Sequence, residues 1–551
     1  MKFSVGYVLV IITAIAVVAG MIVFANLRSP SQVKRSGEVV ATPAVFTFRN
    51  DSRGLALIQL HHCAACHVAT DAALQQIVHP AAGPDLRDTG LRLQEAWLRN
   101  WLASHFTDAL PENARTETIE DLGQYLLSQR NTGSFESWTT EEAGDAERGR
   151  ALVDSIGCAA CHGPSDASSL TLELLRTYVA IDNQTEKTNT AALAAFLHDP
   201  LRWLPDGRMP GMSLSHEESR DIAAWMMKQN GEAGSFDFPM IDAERVERGR
   251  AAFHNLLCSS CHMNTDKNNI ADRSNAQMRV MAFENLHMEL EDGCLADDWT
   301  SESGGMSFNL SAGDRAVIRT WLRAASRAPS IMPEEVLSAA MIRLDCLRCH
   351  AIDGKGGPEP ALWELFIANH PDLPPLEAQP PALDQFPARL QLQWIDEVMN
   401  NHAQARSYLR TRMPEFGTEA SGEILTAVAA LKSDAHKNAS TESGEHANDE
   451  TYIEAGRELL SIGGLNCISC HPIGSEPSNG LPGVNLATVP YRLDRDYFEA
   501  WLRSPQSIRP NTRMPAFFAG DSSPVRFILE GDASQQIEAI WQYLKTVHPK
   551  E

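Results

Sequence analysis

The pentapeptide Cys-x-x-Cys-His occurs five times in this chain, as Cys63-Cys66-His67, Cys158-Cys161-His162, Cys258-Cys261-His262, Cys346-Cys349-His350 and Cys467-Cys470-His471, and these copies hold ten of its eleven cysteines. Two thiols at this spacing, followed at once by an imidazole, form the attachment signature of c-type haem. The thiols add across the haem vinyl groups, and the His is then placed to ligate the iron. Other readings fail on spacing. A zinc site needs four ligands together, whereas each pair here stands alone. A thioredoxin-like redox pair carries no adjoining His, and a disulfide framework scatters its cysteines. Five such anchors call for five small modules, each too small to complete a core without its prosthetic group.

The 551 residues allot roughly ninety to each motif. The formal charge of -24 disfavours nucleic acid and anionic membrane surfaces as partners, and it favours redox proteins with a basic docking face. The apolar run from Phe3 to Ala25 is long enough to span a bilayer, so residues 1–26 are read as an uncleaved anchor, with a cleaved signal peptide as the alternative. Covalent haem attachment takes place outside the cytoplasm. The expected location is therefore the bacterial inner membrane, with a single N-terminal anchor and the haem modules in the periplasm.

The repeats divide the chain into a linker at 27–49, module one at 50–130, module two at 146–230, module three at 244–328, module four at 329–432, a Ser/Asn/Glu/His-rich linker at 433–450 and module five at 451–551. An opening helix leads into each motif, with Gly54, Gly149, Gly249 and Gly456 at related positions. A second amphipathic helix closes each repeat. Its apolar positions recur at helical spacing: Ile119, Leu122 and Leu126; Ile222, Trp225 and Met226; Val317, Ile318, Trp321 and Leu322; Ile424, Leu425 and Val428; Ile537, Ile540, Trp541 and Leu544.

This order of opening helix, haem motif, loop, Met-bearing segment and closing helix resembles the class I cytochrome c fold over nearly all of residues 50–548. The predicted architecture is all-α, a tandem array of five cytochrome c-like haem modules behind one transmembrane helix. Modules four and five are most similar to the cytochrome c domains of exported planctomycete-type multihaem proteins. The resemblance rests on Cys346 through Pro360 with Thr411-Arg412-Met413-Pro414, and on Gly463 through Pro472 with Thr512-Arg513-Met514-Pro515. It implies that the Met of such a segment is the distal iron ligand. Thioether ligation favours reduced iron and raises the potential.

Met209, Met413 and Met514 occupy Arg-Met-Pro segments and are the predicted ligands in modules two, four and five, with Met212 a competing sulfur in module two. Module three lacks Arg-Met-Pro. Met306 is chosen there, against Met263, Met278, Met281, Met288 and His287, and Cys294 is read as a packing thiol. Module one has no Met after His67, and Leu110 of Ala109-Leu110-Pro111 stands in the ligand register. Its iron is therefore expected either open or ligated by a His. His61 and His62 lie on the proximal side, which leaves His79 and His105. Gly83-Pro84-Asp85-Leu86, Pro381-Ala382-Leu383 and Gly483-Val484-Asn485-Leu486 resemble loops whose carbonyl orients the proximal imidazole in modules one, four and five.

The reading these features favour is a membrane-anchored electron carrier with five covalent haem c groups. It passes electrons from an exported or membrane dehydrogenase to a downstream acceptor, as a carrier rather than an enzyme, either by itself or as a subunit of an oxidoreductase complex. The alternative is a haem enzyme or enzyme subunit, peroxidase-like or nitrogen-oxide-reducing, with an open haem in module one. A sensor or scaffold ranks last.

Overall fold

The computed structural model describes residues 46–78, 83–105, 112–131, 138, 143–165, 178–179, 181, 184–229, 240–256, 258–260, 262–263, 282–288, 293–297, 310–326, 331–436, 449–480, 483–510, 512–518 and 520–547. The expected anchor, Leu110 and Met306 lie outside these residues. Among the described residues no helix is long and apolar enough to cross a membrane.

The described chain is helical apart from a small antiparallel hairpin that pairs Ala351–Ile352 with Lys355–Gly356. Its helices of eight residues or more are α1 (Arg53–Leu60), α2 (Glu95–His105), α3 (Glu112–Ser128), α4 (Ala146–Ile156), α5 (Thr190–His198), α6 (His216–Gln229), α7 (Ala243–Asn255), α8 (Ala312–Ala325), α9 (Pro333–Arg343), α10 (Pro360–Ala368), α11 (Leu392–Asn400), α12 (Thr418–His436), α13 (Glu450–Leu460), α14 (Arg495–Arg503) and α15 (Ala533–Thr546). Side-chain caps set where the key helices begin. Asp145, Asp242 and Asp449 accept from first-turn amides of the opening helices α4, α7 and α13, while Ser311 and Asp532 do so for the closing helices α8 and α15.

Three units are built as the repeats predict. The opening helix packs on the closing helix of the same stretch in α4 with α6, α9 with α12, and α13 with α15. The other two exchange partners. Opening helix α1 packs against α8, the closing helix of the third stretch, whereas opening helix α7 packs against α3, the closing helix of the first. Their cores agree with this pairing. One joins Leu55 and Ile58 to Phe283, Ile318 and Trp321, and the other joins Phe253 to Leu122, Tyr125 and Leu126.

The predicted boundaries 50–130 and 244–328 are thereby corrected. The unit carrying motif one is split, with residues 53–78 closed by 282–288, 293–297 and 310–325. The unit carrying motif three is permuted, because its closing part at 83–128 precedes its motif in the chain. The unit carrying motif two sits in sequence between the two halves of unit three.

Glycine makes four of these five crossings possible, the exception being that of α9 with α12. A Cβ on Gly249 would lie 2.0 Å from the Asp121 carbonyl oxygen and 2.7 Å from the Tyr125 Cβ. On Gly54 it would lie 2.4 Å from the Trp321 Cβ, on Gly149 2.0 Å from the Asp221 carbonyl oxygen, and on Gly456 2.1 Å from that of Ala539. Backbones this close admit no side chain. Charge pairing follows the same partners. Arg248 grips Asp121 of α3 through Nε (2.7 Å) and Nη2 (3.0 Å), as Arg148 grips Asp221 of α6, and Arg53 reaches Asp314 of α8 at 2.8 Å.

The units pack through corresponding loops. Gly211 and Glu415, each two residues past the Met of its Arg-Met-Pro segment, exchange both backbone hydrogen bonds at 2.8 Å and so join units two and four. Units four and five meet where the Gln391 amide donates to the Arg492 carbonyl (2.9 Å) and the Asp494 amide to that of Arg389 (2.8 Å). Unit three meets unit two at the same register, with the Gln94 amide donating to the Lys187 carbonyl (3.0 Å). Unit one rests on unit four. There α1 packs on α9, and the Gln59 amide side chain donates to Glu423.

Candidate haem attachment sites

Each Cys-x-x-Cys-His forms one tight turn. The amide of the motif His donates to the carbonyl of the first Cys in all five copies, at 2.9 Å for His67, His262 and His350 and 3.0 Å for His162 and His471. Three turns are entered through a left-handed residue just before the first Cys, namely His62 (φ 52°), Asp345 (φ 55°) and Asn466 (φ 60°), while Gly157 (φ 120°) does so in motif two. Asn, Asp, His and Gly tolerate positive φ better than bulkier residues.

The imidazoles of His162, His262, His350 and His471 are each oriented by a backbone carbonyl. The Nδ1–H donates to Val179 from His162, to Pro84 from His262, to Pro381 from His350 and to Val484 from His471, at 2.7–2.9 Å. A carbonyl only accepts, so Nδ1 carries the proton and Nε2 keeps its lone pair for a metal. Burial pushes the basicity of His162, His350 and His471 down, against the raising effect of that hydrogen bond, which keeps the neutral, ligating form in place.

The Pro381 and Val484 loops serve the histidines expected of them. The Pro84 loop, expected to serve His67, serves His262 instead, because 83–128 closes unit three. Val179 carries no Gly-Pro or Pro-Ala signature, and nothing in the sequence singled it out.

Burial raises the thiols of Cys63, Cys158, Cys346, Cys349 and Cys467 to about 12, so they are protonated at neutral pH. Cys66 and Cys161 are raised by burial too. Cys470 is exposed, Cys258 is half-buried, and Cys261 lies outside the described residues. Cys294 stands near enough to Cys63 and Cys66 to raise both further, which places it in unit one rather than with motif three. Cys161 stands near enough to Cys346 and Cys349 to raise both, and Ala159 and Ala160 of motif two pack on Leu362 and Phe366 of α10. Motifs two and four are neighbours.

Met209, Met413 and Met514 each lie half-buried against the core of the unit whose motif they follow, while Met212 is buried within the core of unit two. Met278 and Met281, like Met306 and Leu110, lie outside the described residues, as does His79. His62 is turned away from its own motif, with Nε2 3.4 Å from Asp206 of unit two.

These residues suit a covalently held haem: protonated thiols at the mouth of an apolar core, an imidazole fixed with Nε2 available, and a thioether at the edge of the same core. The family model described as Cytochrome c matches residues 146–230, the second unit. No curated protein and no solved structure matches the chain. Residues 146–230 are a cytochrome c domain, and with it come covalently bound haem c and haem-based electron transfer.

Proposed function

We propose that this chain is a membrane-anchored pentahaem c-type cytochrome that relays electrons in the periplasm, between an exported or membrane dehydrogenase and an acceptor with a basic docking face. Haem c, when bound, supplies a one-electron iron couple whose potential the axial ligands set. Cys63 with Cys66, Cys158 with Cys161, Cys258 with Cys261, Cys346 with Cys349, and Cys467 with Cys470 would anchor the five groups. His67, His162, His262, His350 and His471 supply the proximal nitrogens.

Met209, Met413 and Met514 would hold the iron with their thioether sulfurs in units two, four and five. The exchange of closing helices reassigns the remaining two positions. Met306 precedes α8 in the chain and Leu110 precedes α3, so we assign the first to unit one and the second to unit three. Unit three, rather than unit one, is then the unit with no Met in register.

The observation that carries the relay reading is the packing of units three, two, four and five through loop-to-loop backbone hydrogen bonds, with motifs two and four side by side. Haem modules packed in a row pass electrons along, whereas a catalytic assembly concentrates acid-base groups over one open site. The acidic surface supports a basic partner, and the apolar run Phe3–Ala25 supports the anchor.

The test is a potentiometric titration of the purified full chain, combined with turnover assays on peroxide and nitrite. Five one-electron c-type waves, reoxidised by an external one-electron acceptor without turnover of either oxidant, are expected. Steady turnover that Leu110→Met abolishes would replace the relay with an enzyme centred on unit three.

A further inference from the structure

The seam between units four and five holds a concentration of arginine that the protein itself does not neutralise. Arg389 and Arg492 occupy corresponding positions, each three residues into a four-residue helix (Phe386–Arg389 and Val489–Arg492), and each gives its carbonyl to the other unit's chain. Arg406 is near enough to act on Arg492, and Arg389 on both, while Arg509 lies within the same reach of Arg389 and Arg406.

The partners of these groups are mostly neutral. Arg389 Nη2 donates to the Ala382 carbonyl (3.0 Å) and meets Tyr497, and Arg406 Nη1 donates to the carbonyls of Glu377 (3.3 Å) and Gln379 (2.9 Å). Arg492 Nε is buried with no partner among the described residues. Glu377 and Asp384 are the nearby carboxylates. Glu377 lies 4.0 Å from Arg513, and neither forms an ion pair with Arg389, Arg406 or Arg492.

The corresponding seam between units three and two differs. There the Asp88 carboxylate neutralises Arg92 at 2.6 Å, and the facing cation is Lys187. Gathering like charges away from water, in a chain whose net charge is -24, is unfavourable unless an anion completes the site. Guanidinium is the side chain best shaped to hold carboxylates, through paired N–H donors. Arg389 donates to the carbonyl of Ala382, the residue next to Pro381, whose own carbonyl orients His350, and Arg492 holds the corresponding position in unit five.

Resting on the pentahaem reading, we propose that Arg389, Arg406 and Arg492 form one shared cradle for the carboxylates of two haems, the haem of unit four and that of unit five, so that each arginine acts on both. A cation beside a haem disfavours the more positive oxidised state and raises the potential. Because the cradle is shared, removing one cation lowers two potentials.

The test uses the full-length holoprotein. Pyridine haemochrome content and mass first establish the number of haems, and fewer than five in the wild type would sink the pentahaem reading whatever the arginines do. In redox titrations, Arg492→Gln is expected to move two of the five waves to lower potential, and Arg492→Lys to leave them nearer the wild type. A shift confined to one wave, or none, overturns the shared cradle. Should Arg492→Gln lose haem, Arg406→Gln gives the same count of shifted waves. The wild type is also titrated across a phosphate series at constant ionic strength. Waves unmoved by phosphate are expected, and waves that follow its concentration mean that a free anion fills the cradle, which overturns the assignment.

Discussion

Unit five and unit three are built from the same parts and are assembled differently. In unit five, α13, motif, loop and α15 follow one another in the chain, and Gly456 sits against Ala539. In unit three, α7 and its motif come after the loop and helix that close them, yet Gly249 sits against Asp121 at the same kind of crossing and His262 is oriented by Pro84 as His471 is by Val484. The crossing, the carbonyl bond to the proximal imidazole and the apolar seam are therefore properties of the parts. Which opening helix meets which closing helix is a property of the whole chain. The exchange also ties unit one to unit three, since neither is complete without residues from both sides of unit two.

The sharpest way to break this comparison is excision. Residues 449–551 expressed alone in a haem-attaching host are expected to fold and carry their haem, because opening and closing helices are both present. Residues 50–131 are expected to yield no helical, haem-loaded product, because α1 and α3 lack α8 and α7. Haem stoichiometry and far-ultraviolet circular dichroism read the result, and a well-folded 50–131 fragment would refute the exchange.

Next in size is Gly249→Val. A side chain at a 2.0 Å backbone approach cannot be absorbed by rotamer change, and a loss of at least ~3 kcal/mol is expected in unit three. The decisive readout is where amide protection falls. It should fall in α3, whereas contiguous modules would lose it in α8. Gly456→Val should confine its damage to α15.

A smaller effect concerns ligation. Met514→Ala should lower one haem potential by on the order of 100 mV, within the span that axial ligands command. Leu110→Met should raise one potential and remove any carbon monoxide response of the reduced protein. With the exchange in force, the haem affected by Leu110→Met is the one lost in Gly249→Val. If that haem persists in Gly249→Val, the reassignment of Leu110 is wrong.

The smallest effect is electrostatic. Asp121→Arg and Arg248→Asp should each lower the melting temperature of unit three, and the double variant should recover part of the loss in a salt-sensitive way. No recovery would mean that the pair at 2.7 Å contributes nothing to partner choice.

Much of the site was legible before any coordinates. The five motifs, the opening glycines, the Pro381 and Val484 loops and the Arg-Met-Pro segments follow from covalent chemistry and short-range geometry, which sequence spacing records directly. The carbonyl of Val179 was not, because any non-glycine residue supplies a carbonyl and the side chain leaves no trace. The cationic seam was not either, since Arg389, Arg406 and Arg492 are far apart in the chain and ordinary one by one.

Local sequence thus determined what each segment is: a helix with a glycine gap, a turn bearing two thiols and an imidazole, a closing helix with one apolar stripe. Only the tertiary structure decided which segments join. All the closing helices present similar apolar stripes, so α3 fits α1 or α7 equally well by hydrophobic pattern. The choice falls to contacts remote in sequence, among them Arg248 with Asp121, Arg53 with Asp314 and the packing of Cys294 beside motif one.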